Sequence, residues 1–224
     1  MPQLIKGKRG LITGAGGSIG SELSLQIAKS SPMHLSLLDH GEFNLYKIDN
    51  EIKEQNQLSS INSLIADVRD RARIENIFKA ERPDIVFHAA ALKHVPLVET
   101  NPIEGIHTNS LGTKIIVDAC LLFKVQEMVL ISTDKAVRPT NVMGATKRIA
   151  ELICMAGNKK NQNTKYLFVR FGNVIGSTGS AIPLFQEQIN EGGPVTITDK
   201  NITRYLSLIH ISEPTRLLSI ADGG

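Results

Sequence analysis

Cysteine is scarce in this sequence: Cys120 and Cys154 are the only two in 224 residues. Both fall in apolar stretches of helical spacing, which excludes a disulfide framework and reads them as small buried hydrophobes. That usage fits a reducing, cytoplasmic compartment. Metal-binding patterns are also missing. There is no HExxH and no CxxC, and the six histidines are scattered, so no metal is expected. No stretch approaches the roughly 20 apolar residues of a membrane span, and Met1 to Arg9 contains no apolar run of the kind a signal peptide needs. Neither sign of charge dominates. The 25 basic and 22 acidic residues leave a net charge of +3, and clusters such as Lys6 to Arg9 and Lys159-Lys160 read as solvated faces. Nucleic acid is not an expected partner.

What is present is a globular composition, 42% hydrophobic and 21% charged, long enough for one sizeable core. Short apolar runs alternate with longer amphipathic ones. Strands are expected at Arg9–Thr13, His34–Asp39, Ile61–Ala66, Asp84–His88, Glu127–Ser132 and Tyr166–Arg170. Helices are expected near Ser18–Ser30, Glu42–Glu54, Arg71–Glu81, Ile103–Phe123 and Asn141–Gly157. Runs such as Ile85-Val86-Phe87 are apolar throughout, as in a parallel sheet covered on both faces. The alternation predicts a Rossmann-like α/β fold, a doubly wound parallel sheet with helices on both faces. It stops after Tyr205. The string from Leu206 to Arg216 resembles the translation of a sequencing-library adapter. Residues 1–205 are therefore expected to form the domain and 206–224 a non-native tail, the alternative being a real short strand and loop.

The segment Gly14-Ala15-Gly16-Gly17-Ser18-Ile19-Gly20 follows an expected strand directly and opens an expected helix. Gly14 permits a tight turn, Gly16 or Gly17 lets backbone approach a pyrophosphate, and Gly20 allows helix and strand to pack closely. The helix N-terminus, with Ser18 and Ile19 in its first turn, presents N–H groups and a positive dipole end to phosphates. A glycine triplet alone is a weak signal, but its strand–turn–helix setting makes dinucleotide binding the expectation. Asp39 closes the second strand about 20 residues on, where an acid binds the adenosine ribose. No Arg or Lys follows at once, which favours NAD over NADP. Asp67 and Val68, after the third strand, reach the adenine or else cap the strand end.

Five ordered segments carry a family resemblance: Gly14 to Leu23, His88 to Glu99 with Ala89, Ala90, Ala91 and Lys93, Ser132-Thr133-Asp134-Lys135-Ala136, Pro139 to Arg148, and Arg170 to Val174. They resemble the extended short-chain dehydrogenase/reductases, and within them the UDP-N-acetylhexosamine 4,6-dehydratases of polysaccharide and capsule biosynthesis. The match is to the larger subgroup, which usually carries membrane helices ahead of this domain. The resemblance implies a UDP-N-acetylhexosamine substrate, a homo-oligomer, and a full-length form anchored at the inner face of the membrane. It also implies a sugar-nucleotide-binding C-terminal part that is incomplete here.

Short-chain dehydrogenases normally pair a Tyr with a Lys four residues later on one helix face. None of Tyr46, Tyr166 and Tyr205 has that partner. Lys147 is present, but Met143 stands where the tyrosine would, and a thioether cannot exchange a proton. The subgroup resembled usually has Met there, so the work moves to Thr133, Asp134 and Lys135. By resemblance, NAD takes hydride from C4 of the sugar and later returns it to C6. Lys135 removes the C5 proton, Asp134 protonates the departing C6 hydroxyl, Thr133 binds the C4 hydroxyl, and Lys147 holds the nicotinamide ribose. The alternative for Asp134 and Lys135 is an exposed ion pair. Lys93, Asn173 and Arg204 are candidate substrate contacts, and Asn109 either fixes active-site backbone or is a surface amide. Two other functions stay open: a UDP-sugar 4-epimerase or C4 oxidoreductase, which would normally keep the Tyr, and a non-catalytic NAD-binding module. Fluorescence titration should show tighter binding of NAD than of NADP; the reverse order would overturn the reading of Asp39.

Overall fold

The computed structural model of the chain describes residues 2–55, 60–160, 163–175, 181–196 and 206–208. They fall in two compact units, Met1–Arg170 and Phe171–Gly224. The first holds six parallel strands: β1 (Arg9–Thr13), β2 (His34–Asp39), β3 (Ile61–Ile65), β4 (Ile85–His88), β5 (Glu127–Ile131) and β6 (Lys165–Val169). Their order across the sheet is β3-β2-β1-β4-β5-β6. The winding reverses between β1 and β4, which opens a crevice at the carboxyl ends of those strands. The Rossmann-like doubly wound fold is thus as the alternation implies. Strand ends differ from expectation by one residue where the ladder continues on one side only, as at Ser132 N–H to Val169 O, 2.7 Å.

The helices of this unit are α1 (Pro2–Ile5), α2 (Ser18–Ala28), α3 (Glu42–Glu54), α4 (Arg71–Glu81), α5 (Val95–Thr100), α6 (Pro102–Gly105), α7 (Thr113–Leu122) and α8 (Val142–Lys160). Strand side chains alternate between two cores. Ile12, Leu35, Leu37 and Phe87 pack with Ile27 of α2 and Ile48 of α3. Leu11, Leu38, Val86 and Leu130 pack with Phe78 of α4, Ile116 of α7 and Cys154 of α8. Leu11 and Ile12 are both fully buried on opposite faces, each contributing about 2 kcal/mol of burial.

The long helix expected at Ile103–Phe123 is broken. α6 runs into a π-helical segment, Ile106–Gly112, before α7 begins. Periodicity does not show this, because the cause is tertiary: the wider turn points Asn109, Ser110 and Thr113 inward. Ser110 Oγ donates to the Thr146 carbonyl of α8 at 3.1 Å. The second unit contains β7 (Asn173–Ile175), α9 (Ala181–Asn190) and β8 (Leu206–Leu208), with β7 and β8 paired in parallel. Residues 209–224 lie outside the described residues.

At the amino ends of the strands Glu81 is buried. Its carboxylate accepts from His34 Nε2 at 2.8 Å, Ser36 Oγ at 2.7 Å and Asn62 Nδ2 at 3.0 Å. Burial alone would raise its pKa, but the bonds from Ser36, His34 and Asn62 outweigh it and hold the carboxyl below its ordinary value of 4.5. A carboxyl lowered by folding stabilises the fold above its unfolded pKa, and that stabilisation drains away as pH falls. Glu81→Gln should therefore lower stability at neutral pH and flatten the loss below pH 4.5; urea unfolding across a pH series checks both.

Candidate active site

A cavity of about 500 Å³ opens at the carboxyl ends of the strands, in the crevice between β1 and β4. Its wall includes Gly14, Gly17, Asp39, Asp67, Val68, Ala89, Ala90, Ala91 and Lys93. Gly14 has φ +69°, and a Cβ there would lie 2.5 Å from Ala90 N. A Cβ on Gly20 would fall 1.9 Å from Gly14 O, so α2 can approach β1 only because that residue is glycine. Gly16 is packed against Asn44 and gives its N–H to Asp39 Oδ2 at 2.9 Å, whereas Gly17 is exposed to the cavity. Of the two glycines, Gly17 is the one whose backbone is open to the cavity. As N-cap of α2 it brings no side chain to close the helix end, where Ser18 and Ile19 follow.

Asp39 is 7% exposed. Its Oδ1 accepts from Gly41 N at 2.9 Å and its Oδ2 from Gly16 N, which fixes the carboxylate in the cavity wall. Asp67 also lines the cavity, but Arg69 occupies its carboxylate through backbone N–H, Nε and NH2 at 2.6–3.0 Å. The hydrogen bonds from Arg69 hold the Asp67 pKa below its ordinary value against the cost of burial. Lys93 lies exposed on the wall, its pKa lowered by partial desolvation.

The proton-exchanging candidates form a second group. Thr133, Asp134 and Lys135 sit in a short 3₁₀ turn after β5. Thr133 Oγ1 donates to Asp134 Oδ1 at 2.9 Å, and Lys135 Nζ donates to the same oxygen at 3.1 Å. Burial raises the Asp134 pKa, but the hydrogen bonds from Thr133 and Lys135 prevail and keep it below the ordinary value, as a carboxylate. The turn rests on the start of α8, where a Cβ on Gly144 would come 2.3 Å from Lys135 O.

Lys147 of α8 is buried, and its pKa is pulled down to about 8 by that burial. Among the described residues its hydrogen-bond acceptor is Ile131 O at 2.6 Å, which leaves two N–H donors for a ligand hydroxyl. Met143, one turn earlier, is 4% exposed and buried with the core. None of Thr133, Asp134, Lys135, Met143 and Lys147 lines the 500 Å³ cavity. Asn173 opens β7 in the second unit, and Arg204 lies outside the described residues.

Two buried networks position these groups, and of their side chains the sequence singled out Asn109 but neither His88 nor Glu151. His88, at the end of β4, is fully buried. Thr113 Oγ1 donates to Asn109 O at 2.7 Å, so it can only accept from His88 Nε2 at 3.0 Å. His88 Nδ1 then accepts from Thr13 Oγ1 at 2.6 Å. Complete burial, with the charge of Lys147, pushes the His88 pKa down to about 3, so the ring is neutral. Asn109 is no surface amide. Its side chain brackets Leu92, donating to Leu92 O at 3.0 Å and accepting from Leu92 N at 2.8 Å, and also donates to Thr146 Oγ1.

In the second network Glu151 of α8, 0% exposed, accepts from Ser132 Oγ at 2.5 Å, Arg170 Nε and NH2 at 2.8 and 2.6 Å, and Arg148 NH1 at 2.9 Å. It fixes the residue just before Thr133. These residues fit a dinucleotide: an open Gly17 at an uncapped helix end, an oriented Asp39, and a buried Lys147 with spare donors. Among the described residues no cluster of His, Cys, Asp or Glu is placed to hold a metal, and no helix is long and apolar enough to cross a membrane.

Residues 11–222 match the model of a family described as polysaccharide biosynthesis protein. The chain belongs to that family. Capsular polysaccharide biosynthesis protein CapD of Staphylococcus aureus is 48% identical over 96% of this chain and 36% of its own length. A UDP-glucose 4-epimerase of Rickettsia bellii is 38% identical over 88% of the chain and 58% of its own. A UDP-N-acetylglucosamine 4,6-dehydratase (inverting) of Campylobacter jejuni is 36% identical over 90% of the chain and 60% of its own. Among solved structures, Pen from Bacillus thuringiensis superimposes with a TM-score of 0.84 at 37% identity, covering 92% of this chain and 65% of that one. The chain thus spans about a third of the length of CapD.

Glu151→Ala should destabilise the first unit by about 3 kcal/mol, the low end for a broken buried pair, because Arg170 and Arg148 keep some contact with water. Urea unfolding measures it; a loss under about 1 kcal/mol would show that Glu151 does not anchor the turn.

Proposed function

We propose that this chain is the NAD-binding part of an enzyme that dehydrates a UDP-N-acetylhexosamine, with UDP-N-acetylglucosamine the leading candidate, to a UDP-4-keto-6-deoxy sugar for polysaccharide biosynthesis. NAD, preferred over NADP, would lie with its pyrophosphate at Gly17 and the N-terminus of α2. Its adenosine ribose would meet Asp39, its adenine Asp67 and Val68, and its nicotinamide ribose Lys147. The wall from Ala89 to Ala91 would flank it, and Lys93, Asn173 and Arg204 are assigned to the substrate nucleotide. When bound, NAD serves as hydride acceptor and then hydride donor, so no redox equivalent leaves.

The observation that carries the reading is the hydrogen-bonded run Thr133 Oγ1–H to Asp134 Oδ1, with Lys135 Nζ on the same oxygen. Asp134 rests as a carboxylate and cannot serve as an acid until it is loaded. With Met143 in place of a tyrosine, the C4 hydroxyl proton passes to Thr133 while the proton of Thr133 passes to Asp134. Asp134 then protonates the departing C6 hydroxyl, and the proton lost at C4 leaves in the water. Lys135 takes the C5 proton and restores it to the same carbon. To act as that base Lys135 takes part as the neutral amine. Lys147 adds positive charge near the oxygen left at C4.

Mass spectrometry of UDP-N-acetylglucosamine incubated with the protein carrying this chain tests the assignment. Loss of one water is expected, with Asp134→Asn and Lys135→Ala each reducing turnover by about a hundredfold or more while NAD binding persists. Unchanged mass with an inverted C4 would identify an epimerase, as one relative is named. No turnover with intact NAD binding would identify a non-catalytic module.

A further inference from the structure

Arg69 makes a connection that neither the phosphate turn nor the proton relay uses. Its Nε and NH2 hold Asp67, beyond the end of β3, and its NH1 donates to Glu104 Oε2 of α6 at 2.6 Å. The sheet order puts β2 and β1 between β3 and β4, the strand whose connection leads into α6. The bridge therefore joins two walls whose strands stand three spacings apart, about 14 Å. Between them end β2 and β1, with Asp39 and Gly14–Gly17. Asp67, Arg69 and Glu104 all line the cavity, yet the side chains of Arg69 and Glu104 are 43% and 52% exposed. Groups that face both cavity and solvent stand at its mouth.

All three guanidinium nitrogens are engaged, Nε and NH2 with Asp67 and NH1 with Glu104, so the planar group is held flat between the two walls. The Arg69 pKa is raised by its bonds to Asp67, and the Asp67 pKa is lowered in turn, so neither partner is lost near neutral pH.

We propose that the Asp67–Arg69–Glu104 bridge is a latch that slows release of the dinucleotide from this cavity, an inference that rests on the cofactor reading above. The chemistry gives such a latch a use. A cofactor returned to its starting state in every turnover has no need to leave, and each departure leaves the site idle. Exposed ion pairs are individually weak, so the latch works as a several-fold brake on release and leaves the entry rate nearly unaltered.

The test loads the full chain with NADH and follows fluorescence after mixing with excess NAD. Glu104→Gln, which keeps the shape and the Asp67–Arg69 pair, should speed release about fivefold, and Arg69→Met at least as much. Association should stay within about twofold of wild type. Sodium chloride at about 0.5 M, where the Debye length falls to about 4 Å, should speed release from the wild type and leave Glu104→Gln almost unchanged. NADH release from Glu104→Gln at the wild-type rate would overturn the latch, even if Arg69→Met fails to fold. Failure of the wild type to bind NADH at all would instead overturn the cofactor reading, and the latch with it.

Discussion

His88 has no contact with water, so both of its ring nitrogens must find partners inside the protein, and the two it finds stand on different elements. Thr13 closes β1, immediately before the glycine turn; Thr113 follows the π-helical segment. Because Thr113 spends its hydroxyl proton on Asn109 O, the direction of every bond in the row is fixed, and the ring can be neither flipped nor protonated without losing one. Asn109, one turn away, brackets Leu92 on the cavity wall and reaches Thr146 of α8, between Met143 and Lys147. The glycine turn, the wall of the cavity and the helix that carries Lys147 thus share one hydrogen-bonded frame.

Much of the fold was legible in the residues. Ile85-Val86-Phe87 and Leu35 to Leu38 read as strands because both sheet faces are covered, and α3 and α4 fall where their periodicity puts them. The glycine turn was legible because its steric demands are local: Gly20 must be small since Gly14 O lies against it. The break at Ile106–Gly112 was not, because apolar spacing cannot register one wide turn forced by partners on β4 and α8. His88 and Glu151 were opaque for a related reason. A buried titratable side chain looks like a surface one until the residues that satisfy it, 25 and 19 positions distant, are placed beside it. The choice between Gly16 and Gly17 likewise needed α3, since Asn44 is what removes Gly16 from the cavity.

Charge is handled in two ways around the site. Glu151 is fully enclosed and remains anionic because two arginines and a serine surround it, which makes it a rigid peg. Asp134 is only partly enclosed, and one of its oxygens accepts from both the Thr133 hydroxyl and Lys135 Nζ. The two carboxylates accept from consecutive residues of the chain, Glu151 from Ser132 and Asp134 from Thr133.

The π-helical segment carries a consequence for how this sequence can vary. A wide turn differs from a regular helix by one inserted residue, so deleting a single position within Ile106–Gly112 would restore ordinary helical winding without a break in the chain. The cost would fall on direction within the segment, since the wide turn absorbs the extra residue and removing it re-aims Asn109 and Ser110. Asn109 would lose its hold on Leu92 and Ser110 its bond to the Thr146 carbonyl. The length of this segment is therefore held by the polar groups it aims, and a shortened relative would have to support Leu92 and Thr146 with a residue other than Asn109.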